Sequence, residues 1–234
     1  METTDGHKLA ELFSPFLHFH PDEGEFCCFP SDAEETYVKF HSNWDLFVED
    51  RTPKELVPSA PCYYEFWDDG DLFQIKYWFW YRHNDFPGAL LNLGNHLGDW
   101  ENVEVRLYGS AELSRAIWIF SNHNEARLAS LTKSLEGFNR ETPILDETHI
   151  NVWVALGSHA NYPSPQSKPR CYARVFCDKI SDGGPIWETR GVLKHLETTN
   201  FATFKGRWGD KKAPRGPANE YNNRWRNAPN LKPI

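Results

Sequence analysis

The residues best suited to chemistry cluster in one stretch, LGNHLGDWENVEVRL, from Leu93 to Leu107. Its second half alternates like a strand. Glu101, Val103, Val105 and Leu107 share one face, and Trp100, Asn102, Glu104 and Arg106 share the other. The apolar face therefore begins with a carboxylate, with Asp99 two residues before it and His96 just upstream. A sheet core does not accept an acid pair without a partner that neutralises it. Two further strand-like segments lead to a histidine: AIWIFSNH ends in His123, and NVWVALGS runs into His159. If these strands are neighbours, three imidazoles meet Asp99 and Glu101 at one rim. Such a mixture of nitrogen and oxygen donors suits a divalent cation, with Mg, Mn, Zn and Fe all compatible. The expected metal ligands are His96, Asp99, Glu101 and His159. Glu101, His159 and His123 are the expected acid–base groups, beside a metal that polarises the substrate or activates water.

A second cluster, HFHPDE, holds His18, His20, Asp22 and Glu23. Pro21 favours an extended His20, and a loop tied down by its own acids explains this cluster equally well. Trp78, Trp80, Trp100 and Tyr162 are the expected walls of an aromatic ligand pocket. Other chemistries lack their signatures. There is no G-x-S-x-G elbow, P-loop, G-x-G-x-x-G or H-E-x-x-H.

The elements that must position these residues are mostly strands. DLFQIKYWFWYRH places Phe73, Ile75, Tyr77, Phe79 and Tyr81 on one face. Its other face turns apolar at Trp78 and Trp80, which predicts burial on both sides. WENVEVRLY, AIWIFSNH, INVWVALGSHANYP and CYARVFCDK read as further strands, and TYVKFHSNW as another. TDGHKLAELFSPF predicts a short helix closed by Pro15. ARLASLTKSLEGF, with Leu128, Leu131 and Leu135 on one side, predicts a helix, as does WETRGVLKHLETT. HFHPDEGEFCCFPSD reads as a loop. Beyond about residue 203 the chain becomes an irregular tail anchored by Trp208 and Trp225. No βαβ rhythm is present. The expected architecture is mainly β: one antiparallel β-sandwich domain over residues 1–234 with a few short peripheral helices.

Composition narrows the function classes. The chain has 234 residues, 15% of them aromatic, a net charge of -8 and a pI near 5.7. That balance argues against a nucleic-acid partner held by bulk electrostatics. A basic stretch from Lys205 to Arg226 reads as a solvated loop. No apolar run approaches the roughly 20 residues of a membrane span. Five cysteines, Cys27, Cys28, Cys62, Cys171 and Cys177, show no zinc-finger or thioredoxin spacing. With no N-x-S/T sequon and no leader-like start, the chain is expected to be reduced, without disulfides, and cytoplasmic.

Four segments carry a resemblance. LFSPFLHFHPDEGEFCCFPSDAE, NHLGDWENVEVRL, NVWVALGSHANYP and FKGRWGDKKAPRGPANEYNNRWRNAP follow one another as in the family related to vacuolar protein sorting-associated protein sixty-two. The central segment also resembles the G-H-R-H-D-W-E heptapeptide of necrosis- and ethylene-inducing-like proteins. Those are secreted β-sandwich cytolysins that use a divalent cation to engage a sphingolipid headgroup. The resemblance implies a cation at His96, Asp99 and Glu101. The chain departs from that heptapeptide, with Asn95 before His96 and Leu97–Gly98 after it.

Together these readings predict a soluble divalent-metal-dependent enzyme of hydrolase or lyase type acting on a small organic molecule. A mononuclear iron oxygenase also fits two histidines and a carboxylate. The alternative is a non-catalytic, cation-dependent binding module for a glycan or lipid headgroup.

Overall fold

A computed structural model describes residues 6–70, 72–87, 94–108, 115–122, 125–132, 144–145, 148–172 and 175–221. The chain begins with helix α1 (Gly6–Leu12), strand β1 (Phe16–His18) and helices α2 (Glu23–Phe26) and α3 (Ala33–Phe40). Strands β2 (Cys62–Asp68), β3 (Leu72–Asn84), β4 (His96–Tyr108), β5 (Arg115–Asn122) and β6 (Glu125–Thr132) form an antiparallel meander. Then come β7 (Ile144–Leu145), β8 (His149–Val154), β9 (Asn161–Tyr162), β10 (Cys171–Tyr172), β11 (Phe176–Cys177), β12 (Ile186–Glu188) and β13 (Leu193–His195).

Two mixed sheets result. The larger has the order β13-β2-β3-β4-β5-β6, and the smaller β12-β1-β8-β7 with β9 paired to β8. The expectation of strands with few helices holds, but purely antiparallel pairing does not. β1 runs parallel to β8, and β13 parallel to β2. Each parallel pair joins segments far apart in sequence, so no hairpin dictates its direction.

β3 and β4 sit at the centre and are buried on both faces. Phe73, Ile75, Tyr77, Phe79, Val103 and Val105 pack with Leu17, Ile150, Val152 and Trp187 of the smaller sheet. On the opposite face Trp78, Trp80 and Trp100 pack beneath α3, Phe201 and Trp208.

Several expectations yield to the structure. TYVKFHSNW lies largely in α3, because Asp32 caps Glu34 and Glu35 at its N-terminus. ARLASLT forms β6 rather than a helix, since β5 offers it a full ladder. WETRGVLKHLETT splits into strand edges β12 and β13 with short 3-10 turns between and after. α2 interrupts the N-terminal loop. Cys171 and Cys177 form a disulfide across the β10–β11 pair, against the expectation of none. Trp208 is an anchor as expected, whereas Trp225 lies outside the described residues. No helix among the described residues is long and apolar enough to cross a membrane.

Candidate functional site

The site is built by two turns that meet over β3. The turn after β8 holds Gly157 at φ +62° and His159 at φ +52°, a backbone region side chains rarely adopt. Gly157 is required there, because a Cβ would stand 2.3 Å from the Asp85 carbonyl oxygen. Its N–H donates to Glu23 Oε2 at 3.1 Å, and His159 N–H donates to the Ala155 carbonyl at 3.0 Å. The turn is thereby fastened to α2, and the strained histidine is held by its surroundings.

β3 and β4 supply the other wall. Tyr81 pairs across the ladder with Asp99, and Phe79 with Glu101. The Tyr81 ring stacks on the His159 imidazole, 3.7 Å between centroids and 3° from parallel. His159 Nδ1 donates to Asp99 Oδ2 at 3.1 Å, while its Nε2 faces Glu23 Oε1 at 3.4 Å. One imidazole thus bridges two carboxylates. Glu23, Glu101 and His159 have no solvent exposure and Asp99 has 2%.

This surrounding sets the protonation states. Burial alone would lower the His159 pKa, but Asp99, Cys28 and Glu23 outweigh it and hold the imidazole well above its ordinary value. Burial, with Glu23, Asp99 and Glu101 nearby, keeps the Tyr81 hydroxyl protonated far above its usual range.

Cys27 and Cys28 close the far side. Cys27 has φ −131° and ψ −111°, and both sulfurs end on one side, 3.0 Å apart. Each thiol reaches the His83 carbonyl, at 3.5 and 3.4 Å. Burial raises the Cys28 thiol, yet hydrogen bonds with Cys27 and His159 overcome it. The Cys27 thiol is pushed up by Cys28 and by burial, so the negative charge settles on Cys28. Among the described residues, the donor atoms of Cys27, Cys28 and His159 lie within 4.8 Å of one another and could hold a metal ion.

The structure divides the expected site residues. Asp99 and Glu101 do reach the neighbourhood of His159, in a sealed interior rather than at an open rim. His96 is half-buried, and its Nδ1 donates to the Gly98 carbonyl at 2.7 Å. His96, Asp99, Glu101 and His159 do not bring three donor atoms into the 4.8 Å group found among the described residues. Trp78, Trp80 and Trp100 face the outer aromatic layer, whereas Tyr162 packs with Trp153 and donates its hydroxyl to Asp178. The four therefore do not share one pocket wall. His123 lies outside the described residues. In HFHPDE, His18 donates to Asn151 Oδ1 at 2.6 Å and stacks on Trp153, so only Glu23 joins the site. Tyr81, Cys27 and Cys28 were not expected in it. Periodicity places Tyr81 on the face of Asp99, which is a usable signal; nothing in the cysteine spacing marks the adjacent pair.

No family model matches the chain. It is 22% identical over 192 residues to Vacuolar protein sorting-associated protein 62 of Saccharomyces cerevisiae, covering 70% of this chain and 41% of that protein. It is 23% identical over 176 residues to the Putative vacuolar protein sorting-associated protein TDA6 of the same yeast, covering 63% and 37%. The chain thus spans about two-fifths of the length of these curated relatives. Among solved structures it is similar to the non-toxic HaNLP3 protein, with TM-score 0.48, 14% identity and coverage of 82% of this chain and 75% of that one. It is also similar to NLPPya in complex with glucosamine, with TM-score 0.45, 16% identity and coverage of 85% and 77%. Both resemblances carried by the motifs thus recur among relatives and solved structures.

Proposed function

We propose that this chain is a non-catalytic, cation-dependent binding module for a polyhydroxylated headgroup of the sugar type. The observation that supports it is a rim of paired polar groups standing over the buried centre. Arg51 pairs with Asp85 and, at 2.7 Å, with Glu49; Arg82 donates to Asp50 at 2.6 Å; Asn95 donates to Asp85 at 2.7 Å. Arg51, Asp50 and Arg82 keep 36%, 30% and 19% of their side-chain surface exposed. Planar acid, amide and guanidinium groups at this density suit hydroxyl recognition. Asp85 joins rim to centre, since its N–H donates to the Gly157 carbonyl at 2.8 Å.

The centre supplies the cation dependence. Glu23 and Asp99 flank one imidazole, with Glu101 close by, and a cation would offset that acidity. The resemblance implies ligation by His96, Asp99 and Glu101, but those three do not close on an ion in this arrangement. Burial of Asp99, Glu101 and His159 favours holding over turnover, because a hydrolase or lyase needs its acid–base pair beside the substrate.

Calorimetric titration with glucosamine tests the module, before and after metal stripping. The expected result is binding that disappears on stripping, returns with added cation and weakens at least tenfold in Arg82→Ala. Binding indifferent to metal, or no binding to glucosamine or to any sugar on a glycan array, would overturn it. So would cleavage of a bound sugar derivative.

A further inference from the structure

The buried dithiol takes no part in sugar recognition as proposed, yet it lies against the fully buried His159. We infer that Cys27, Cys28 and His159 form a closed site for a thiophilic divalent cation of the zinc type, with Glu23 standing beside the histidine. This deepens the cation reading above and rests on it for biological role, though not for its geometry.

Three donors of the right kinds converge: the ligand atoms of Cys27, Cys28 and His159 lie within 4.8 Å of one another. The two sulfurs are 3.0 Å apart, and tetrahedral zinc with about 2.3 Å bonds sets them roughly 3.8 Å apart, a sub-ångström opening. His159 Nε2 and Glu23 Oε1 stand 3.4 Å apart. Both atoms are sealed from solvent and face each other as a buried ion pair. Glu23 lies outside the group of ligand atoms that come together and serves the histidine as a buried counter-charge.

The surroundings match those of a ligating histidine. A metal-bound imidazole commonly gives its other ring N–H to a carboxylate, which fixes tautomer and orientation. Asp99 does this at Nδ1 and thereby aims Nε2 at the cysteines and Glu23. Tyr81 fixes the ring plane from the side. Thiolate donors select zinc-like ions over magnesium or calcium, which take oxygen ligands. The three donors and Glu23 are all fully buried, so substrate has no access to the site, as in structural rather than catalytic zinc centres.

Cobalt substitution of the full chain, purified without a histidine tag, tests this. The metal-stripped protein is expected to take up one equivalent of Co2+. It should then show the sulfur-to-cobalt charge-transfer band of the near ultraviolet and the strong visible bands of tetrahedral coordination. Zn2+ should bleach both. Cys28→Ser and His159→Gln should lose the spectrum, Cys62→Ser should keep it, and Asp99→Asn should weaken affinity 10- to 100-fold. Co2+ bound without a thiolate band would overturn the site while leaving cation-dependent sugar binding intact. So would folded protein that takes up no metal, or a Cys27–Cys28 disulfide in freshly isolated metal-free protein. If a variant fails to fold, the wild-type cobalt spectrum alone decides.

Discussion

Asp99 Oδ2 lies 3.1 Å from His159 Nδ1, joining β4 of the larger sheet to the turn that follows β8 of the smaller. Both side chains are buried. The contact therefore works as a polar rivet between two hydrophobic layers. Its loss leaves a buried imidazole without the partner that orients it.

Removing one member of such a pair costs about 3 to 5 kcal/mol. Asp99→Ala is expected to lose stability of that order in urea unfolding. Asp99→Asn, which keeps the shape, should lose less. A loss below roughly 1 kcal/mol in Asp99→Ala would show that the rivet carries little.

Gly98 gives a second prediction. It has φ +63°, and an added Cβ would meet the Trp80 ring at 2.5 Å and the Trp208 carbonyl oxygen at 2.7 Å. Leu97 packs with the outer tryptophans rather than with the face that strand alternation would assign it. The ladder runs on past Gly98 in the same register, with His83 opposite Leu97 and Asn84 opposite His96. Gly98→Ala combines left-handed strain with overpacking and should destabilise by about 2 to 4 kcal/mol. A melting temperature equal to that of the wild type would refute this account.

Lys76 gives a third, through pH. Burial pulls its ammonium below the ordinary lysine value, against the opposing pull of Glu104 and Glu65. The unfolded chain then holds this proton more tightly than the folded one. The resulting penalty is present in full below the folded-state value and fades as pH rises from there toward about 10.4. The stability of the wild type relative to Lys76→Met should therefore rise as pH approaches 10. Glu104 keeps Arg106 at 2.7 Å in that variant, so no acid is orphaned. Parallel stability curves for the two proteins would sink the assignment.

The sequence disclosed the strands that carry most of the site and little of its far wall. Alternation from Phe73 to Tyr81 and from Glu101 to Leu107 is visible because each face meets a packed layer. It also put Glu101 on the core-facing side of its strand, with Asp99 just before it, while their pairing with Phe79 and Tyr81 became visible only in the ladder. α3 was hidden by the β-branched and aromatic run TYVKF, although Asp32 with Glu34 and Glu35 is a helix start. β6 was hidden by leucines at helical spacing, which its pairing with β5 overrode. Cys27 and Cys28 were opaque because neighbouring side chains ordinarily diverge. Only the irregular backbone at Cys27 brings their sulfurs together, and no residue pattern announces that angle.

The segment from Leu196 to Ala213 has a consequence of its own. Leu196, Phe201 and Trp208 close over Trp78, Trp80 and Trp100, with Trp208 centred 4.6 Å from Trp80. What reads as a polar tail is thus a sealing cover for a broad aromatic field on the central strands. A shortened chain ending before Phe201 would present that field to water. Its first effect would be self-association, through an adhesive surface that the segment from Leu196 to Ala213 keeps folded inward.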